Sequence, residues 1–209
     1  MITALDFQIL DFLQQHCRNG ALDWFFSRLT HLGDAGIIWI VLALGLLLYP
    51  KTRRSGAVVA IALVLDLILC NGILKNLIAR TRPYDINTAV ELLIKTPSDY
   101  SFPSGHTAAA FAAVTALFCC RSRFRIPAFV LAVLIAFSRL YLYVHFPTDI
   151  LGGVFVGLVC GCTAAWIVNL WTRRQKAKQP PVPPQPTFVC PSSCTGSCQT
   201  CPGSKPREE

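Results

Sequence analysis

The residues best suited to chemistry fall into three groups, each at the end of an apolar stretch, where a charge must be paired, solvated or used. In the first, Lys75 is followed after six intervening residues by Arg82 and Pro83. If the helix runs on, a separation of seven is about two turns and aims both cations along one face. An ammonium and a planar guanidinium together suit a tetrahedral phosphate, although cations also snorkel at membrane edges. The second group is Pro103-Ser104-Gly105-His106, directly before an apolar helix. Ser104 fits an N-cap, Gly105 lets backbone approach a ligand, and the free N–H groups of the first turn attract an anion. His106 adds a titratable proton donor, or else stands as a solvated loop residue. The third group is Ser138-Arg139, then His145 after five residues and Asp149 after three more. Pro147 fits the first turn of the next helix, which brings the Asp149 carboxylate within reach of the His145 imidazole. A carboxylate on one ring nitrogen leaves the other as a free base aimed at substrate; a structural His-Asp pair at a helix cap is the plainer alternative.

These groups need elements to hold them, and the composition says of what kind. Of 209 residues, 53% are hydrophobic and 14% charged, too apolar for an ordinary soluble domain of this size. The apolar residues gather into five runs: about Ala35–Tyr49, Ala57–Leu77, Thr107–Cys120, Ile126–Val144 and Ile150–Trp171. Each is read as a membrane span, for which a core about 30 Å thick asks roughly 20 helical residues. Residues Ile2–Leu13 have helical apolar spacing but contain Asp6 and Asp11, which predicts an interfacial helix. The expected fold is therefore an all-α polytopic bundle of five to six transmembrane or interfacial helices. No basic start leads into a cleavable apolar core, so the spans are expected to direct insertion.

The net charge of +8 does not imply nucleic acid, because the cations cluster at span ends. Lys51, Arg53 and Arg54, then Arg121, Arg123 and Arg125, then Arg173, Arg174, Lys176 and Lys178 are expected to face the cytoplasm. That puts the chemistry-bearing loops, around Arg80–Pro103 and Arg139–Asp149, on the outer side. Three regions follow: 1–34 interfacial, 35–172 membrane domain, and 173–209 a basic, proline-rich cytoplasmic tail.

Taken together, Lys75, Arg82, Pro83, Pro103-Ser104-Gly105-His106, Ser138, Arg139, His145 and Asp149 resemble the three-part signature of the type 2 phosphatidic acid phosphatase superfamily at every fixed position. Asp34 after Gly33 also looks similar. The resemblance implies that His145 attacks phosphorus to form a phosphohistidine, that Asp149 orients it, and that His106 protonates the leaving oxygen and then helps activate water. Lys75, Arg82 and Arg139, with the Ser104 hydroxyl and Gly105 amide, would bind the phosphoryl oxygens, with no metal and no cofactor. The expected partner is a membrane lipid phosphate or diphosphate. Undecaprenyl diphosphate comes first by resemblance to small bacterial enzymes, with phosphatidic acid or phosphatidylglycerol phosphate as alternatives, at the outer face of a bacterial inner membrane. The loop from about Tyr84 to Phe102 is expected to form a lid or headgroup-selecting edge.

A non-hydrolytic anion channel or transporter would use the same cations, but would not need a histidine oriented by a carboxylate. Asp66, inside the second run, is assigned to structure; Asn71 could share a polar seam with it, and neither is placed in the site. Among ten cysteines, Cys190, Cys194, Cys198 and Cys201 stand close together in the tail. They are a candidate zinc or iron–sulfur site, but without paired Cys-x-x-Cys knuckles an unliganded tail is the simpler expectation.

Overall fold

A computed structural model describes residues 2–178. Cys190, Cys194, Cys198 and Cys201, and the prolines before them, lie outside the described residues. Every described element is helical: α1 (Ile2–His16), α2 (Gly20–Leu32), a 3-10 turn (Asp34–Gly36), α3 (Ile37–Leu48), α4 (Arg53–Asp66), a π-helix (Leu67–Leu74), α5 (Lys75–Ile78), α6 (Pro83–Ile86), α7 (Gly105–Cys119), α8 (Arg125–Tyr141) and α9 (Pro147–Lys178). Local chemistry sets several boundaries. The Asn19 carboxamide oxygen caps α2 by accepting from the Leu22 N–H at 3.0 Å. Pro83 and Pro147 open α6 and α9, where a missing N–H costs nothing.

Each apolar run is helical, but the runs differ in length from what was expected of spans. Arg53–Ile86 and Pro147–Gln175 are each long and apolar enough to cross a membrane. The first run has only 12 helical residues, Ile37–Leu48, about 18 Å at 1.5 Å per residue. It reaches spanning length only together with α2, across a bend of 46°. The break is the turn at Asp34–Gly36, where Ala35 and Gly36 take left-handed backbone at φ 50° and 69°. Helices α7 and α8 have 15 and 17 residues, shorter than a full span.

Helices α3, α4, α7, α8 and α9 and the π-helix build the main core. Trp39 and Leu46 of α3, Val58, Val59 and Ala62 of α4, the alanines of α7, and Val156, Cys160 and Ala164 of α9 are buried together. Helices α7 and α9 approach closely because one is rich in alanine and the other carries Gly153, Gly157 and Gly161 at four-residue spacing. A Cβ on Gly157 would lie 2.7 Å from the Ala108 carbonyl oxygen and from the Phe111 Cβ. This is small-residue packing, which lets backbones meet where hydrocarbon offers no hydrophobic drive between helices.

Helix α1 turns its polar side to the protein. Asp6 is buried, and Asp11 accepts a 2.8 Å hydrogen bond from the Tyr143 hydroxyl, while Leu5, Ile9 and Phe12 stay exposed. A second core of Leu10, Phe26, Leu29, Tyr84, Tyr141 and Phe146 joins α1 and α2 to the end of α8. Leu92, Leu93 and Ile94, from the long loop before α7, pack against it.

Candidate active site

The three groups converge at one end of the bundle, on the walls of a cavity of about 360 Å³ that includes Lys75, Arg82, Gly105, His106, Arg139 and His145. The opposite end gathers basic loops, where the Arg54 guanidinium bonds the Asn169 side chain. Lys75 and Arg82 do not meet by continuation of one helix, as their spacing implied. Helix α5 ends at Ile78, Ala79 takes a left-handed conformation at φ 46°, and Arg82 is extended ahead of α6. The reversal folds Arg82 back toward the cavity: its Nη1 donates to the Val144 carbonyl at 2.7 Å and lies 3.3 Å from His145 Nε2.

His145 lies between α8 and α9, after a left-handed Tyr143 at φ 59°. It is 1% exposed, so burial first, then the charges of Arg82, Arg139, Lys75 and His106, hold its pKa well below 6.5 and keep the ring neutral. A neutral imidazole is the form that can act as a nucleophile. Its Nδ1 is 3.6 Å from Asp149 Oδ2 and has no hydrogen-bond partner among the described residues. That distance exceeds a hydrogen bond but needs only a small closure, as is common before substrate binds.

Asp149 is fully buried and held from several sides. Oδ2 accepts from the Phe146 N–H at 2.9 Å and from the Ser101 hydroxyl; Oδ1 accepts from Arg80 Nη1 at 2.5 Å. Arg80 also donates to Thr148 Oγ1 at 2.7 Å and to Asp6 Oδ2 at 2.8 Å, with its guanidinium over the Phe146 ring. The carboxylate behind His145 is thus tied through Arg80 to helix α1. Sequence reasoning missed Arg80, Ser101 and Asp6. The signal for the pair was available: an Asp within the apolar pattern of α1 demands a buried cation somewhere in the chain.

On the other side, His106 Nε2 is 3.0 Å from Asp34 Oδ1, and Asp34 Oδ2 is 2.7 Å from His31 Nδ1. Ser104 is in the N-cap position but makes no side-chain cap. Its hydroxyl is buried, accepts from Thr107 Oγ1 at 3.1 Å, and does not line the cavity, while its N–H donates to the Asp149 carbonyl at 3.1 Å. Gly105 does line the cavity. Arg139 is 3% exposed, donates to Thr30 Oγ1 at 2.5 Å, and leaves Nε without a partner among the described residues. A buried guanidinium with an unused N–H beside a cavity invites an oxyanion.

Two of the cations already hold a carboxylate. Asp99, from the loop before α7, pairs with Lys75 Nζ and, at 2.6 Å, with Arg82 Nη2; its carbonyl accepts from Arg82 Nε at 2.7 Å. Burial alone would raise the Asp99 pKa, but the hydrogen bond and charge of Lys75, followed by those of Arg82, outweigh it and lower the value to about 2. The loop predicted as a lid therefore supplies an anion to the phosphate-type site.

From this site a larger groove of about 680 Å³ runs along the bundle. Its walls include Leu44, Leu47, Leu63 and Val64, with Lys75 and His106 at one end and Asp66 and Asn71 among the lining residues.

The PAP2 superfamily model matches residues 55–173, which include all three groups. The chain belongs to that superfamily. PAP2 proteins of this kind are membrane lipid phosphatases, hydrolases that work without a metal. The chain is similar to undecaprenyl-diphosphatase of Sulfolobus acidocaldarius, at 34% identity over 57% of this chain and 58% of that protein. It also resembles phosphatidylglycerophosphatase B of Bacillus subtilis, at 37% identity over 66% of this chain and 71% of that protein. The crystal structure of a transmembrane PAP2-type phosphatidylglycerolphosphate phosphatase from Bacillus subtilis superposes with a TM-score of 0.65, at 29% identity, covering 85% of this chain and 89% of that one. The PAP2 architecture is thus an integral-membrane one. The match to the Sulfolobus protein spans less than two thirds of that relative.

Proposed function

We propose that the chain hydrolyses a lipid phosphate or diphosphate through a phosphohistidine on His145. The observation that carries this reading is a buried, neutral His145 facing Arg82, with Lys75 and Arg139 on the same cavity and Asp149 behind its far nitrogen. Lys75, Arg82, Arg139 and the Gly105 amide hold the phosphoryl oxygens, displacing the Asp99 carboxylate. His145 Nε2 attacks phosphorus, and the bond to the lipid oxygen breaks as His106, in the protonated form that its Asp34 partner favours, delivers a proton to it. Positive charge on the phosphohistidine ring draws Nδ1–H onto Asp149. Water then attacks phosphorus with His106 as base, freeing His145 and phosphate. An anion channel has no use for the oriented histidine.

The apolar groove beside the site fits a lipid chain entering from the bilayer. Undecaprenyl diphosphate is supported by that apolar lining and by the name of the Sulfolobus relative. A second reading, phosphatidic acid or phosphatidylglycerol phosphate, is favoured by polar residues inside the groove, Asp66 and Asn71, that a pure hydrocarbon leaves unmatched. The gathering of basic loops away from the site supports an extracytoplasmic active site. Residues 1–34 then act as an interfacial segment, and 173–209 as a cytoplasmic tail.

The test is phosphate release by detergent-purified protein in EDTA, from undecaprenyl diphosphate, phosphatidic acid and phosphatidylglycerol phosphate side by side. His145→Ala should cost on the order of 10³-fold or more. Release that survives the substitution would sink the mechanism.

A further inference from the structure

The π-helix between α4 and α5 changes which residues share a face. Its i→i+5 bonding takes more than four residues per turn, so positions five apart come close to one stripe, whereas an α-helix would splay them. Asp66, Asn71 and Lys75, spaced five and four apart, accordingly all line the same groove. Asp66 is 2% exposed, and its Oδ1 has no hydrogen-bond partner among the described residues. The Asn71 carboxamide sits against Gly105, at the mouth of the phosphate site, where a Cβ on Gly105 would be 3.0 Å from Asn71 Oδ1.

A buried carboxyl without a partner inside an apolar groove is costly unless a ligand completes it. The groove walls of Leu44, Leu47, Leu63 and Val64 offer it nothing. The nine residues from Asp66 to Lys75 rise roughly 13 Å at most along the axis, and Lys75 leans back toward Asp66 because helical side chains tilt N-terminally. A linker bearing hydroxyl and ester oxygens, placed between phosphate and chain, falls beside these groups.

We propose that Asp66 and Asn71 form a linker subsite, Asp66 accepting from a glycerol hydroxyl and Asn71 donating to an ester oxygen, so that glycerol-linked phosphate monoesters are preferred to phosphates borne directly on hydrocarbon. The subsite rests on the phosphatase reading above. It assigns function to two residues whose position within an apolar run implied only structure.

Two probes with one oleyl-type chain isolate the linker: 1-oleoyl-glycerol-3-phosphate and oleyl phosphate, each assayed with the full chain in detergent and EDTA. Wild type should favour the glycerol-linked substrate in kcat/KM by about tenfold, the value of one buried hydrogen bond. Asp66→Leu should bring the two substrates near parity, and Asp66→Asn, which still accepts, should keep part of the preference. Asn71→Leu, at a more exposed position, should reduce the preference as well if Asp66→Leu fails to fold. Parity in wild type, or an equal loss on both substrates in the variants, overturns the subsite. Absence of His145-dependent release from either probe overturns the phosphatase reading instead.

Discussion

At the scale of single residues, Asp99 shows what the free site costs a ligand. Its carboxylate pairs with Lys75 and Arg82, the cations proposed to hold the phosphoryl oxygens, so an anion entering there competes with it. Asp99→Asn removes the charge, while the backbone bond from Arg82 to the residue 99 carbonyl keeps the loop in place. Inorganic phosphate should then inhibit at about tenfold lower concentration, the worth of two partly exposed ion pairs. The sign with pH follows from the depressed pKa. The carboxylate's contribution is fully present above 3.8 and is lost only as pH falls through about 2, so the variant's effect should be constant from about pH 5 to 8. Phosphate inhibition curves across that range check it; an unchanged or weaker inhibition means Asp99 does not compete. The motif residues themselves were legible because their types and spacing are rigid. Asp99, Arg80 and Ser101 were not, since their partners lie 17 to 74 positions away and nothing local marks the pairing.

At the scale of elements, the α7–α9 contact positions the chemistry. It joins the Ser104 N–H to the Asp149 carbonyl, and so docks the His106 group against the His145 group. Gly157→Ala places a methyl 2.7 Å from the Ala108 carbonyl oxygen, and overpacking of this kind should cost about 1–3 kcal/mol and lower activity with it. Gly45→Ala is the control: nothing lies within 4 Å of its Cβ, and helix propensity makes it neutral or stabilising by up to about 1 kcal/mol. Thermal melts of both variants in one detergent separate packing from propensity. A Gly157→Ala protein as stable as wild type would mean the helices do not meet this closely. The existence of these helices was plain from hydropathy. Their ends were less so, because the break at Asp34–Gly36, the π-winding of Leu67–Leu74 and the reversal at Ala79 leave little trace in hydropathy.

For the whole molecule, the basic loops and the site occupy opposite ends, and the positive-inside bias then predicts one orientation for the bundle. A protease site inserted at Glu91, in the exposed part of the loop before α7, should be cut from outside intact cells. One at Arg123, between α7 and α8, should be cut only in inverted vesicles. The reverse pattern would put the site in the cytoplasm. Helix α1 belongs to the same arrangement: its inward Asp6 reaches Arg80 beneath His145, and its outward Leu5, Ile9 and Phe12 suit an interface with lipid.

The sequence by itself determined the helical membrane class, the family and most of the residues that line the candidate site, because hydropathy and motif spacing are local properties of the chain. Only the tertiary structure decided how those residues are charged and held. It buried His145 until neutral, tied Asp149 through Arg80 to Asp6, laid Asp99 across two cations, and turned Asp66 into the groove. Each of these depends on which distant groups share a low-dielectric space, and on the local winding that aims them, which no local pattern records.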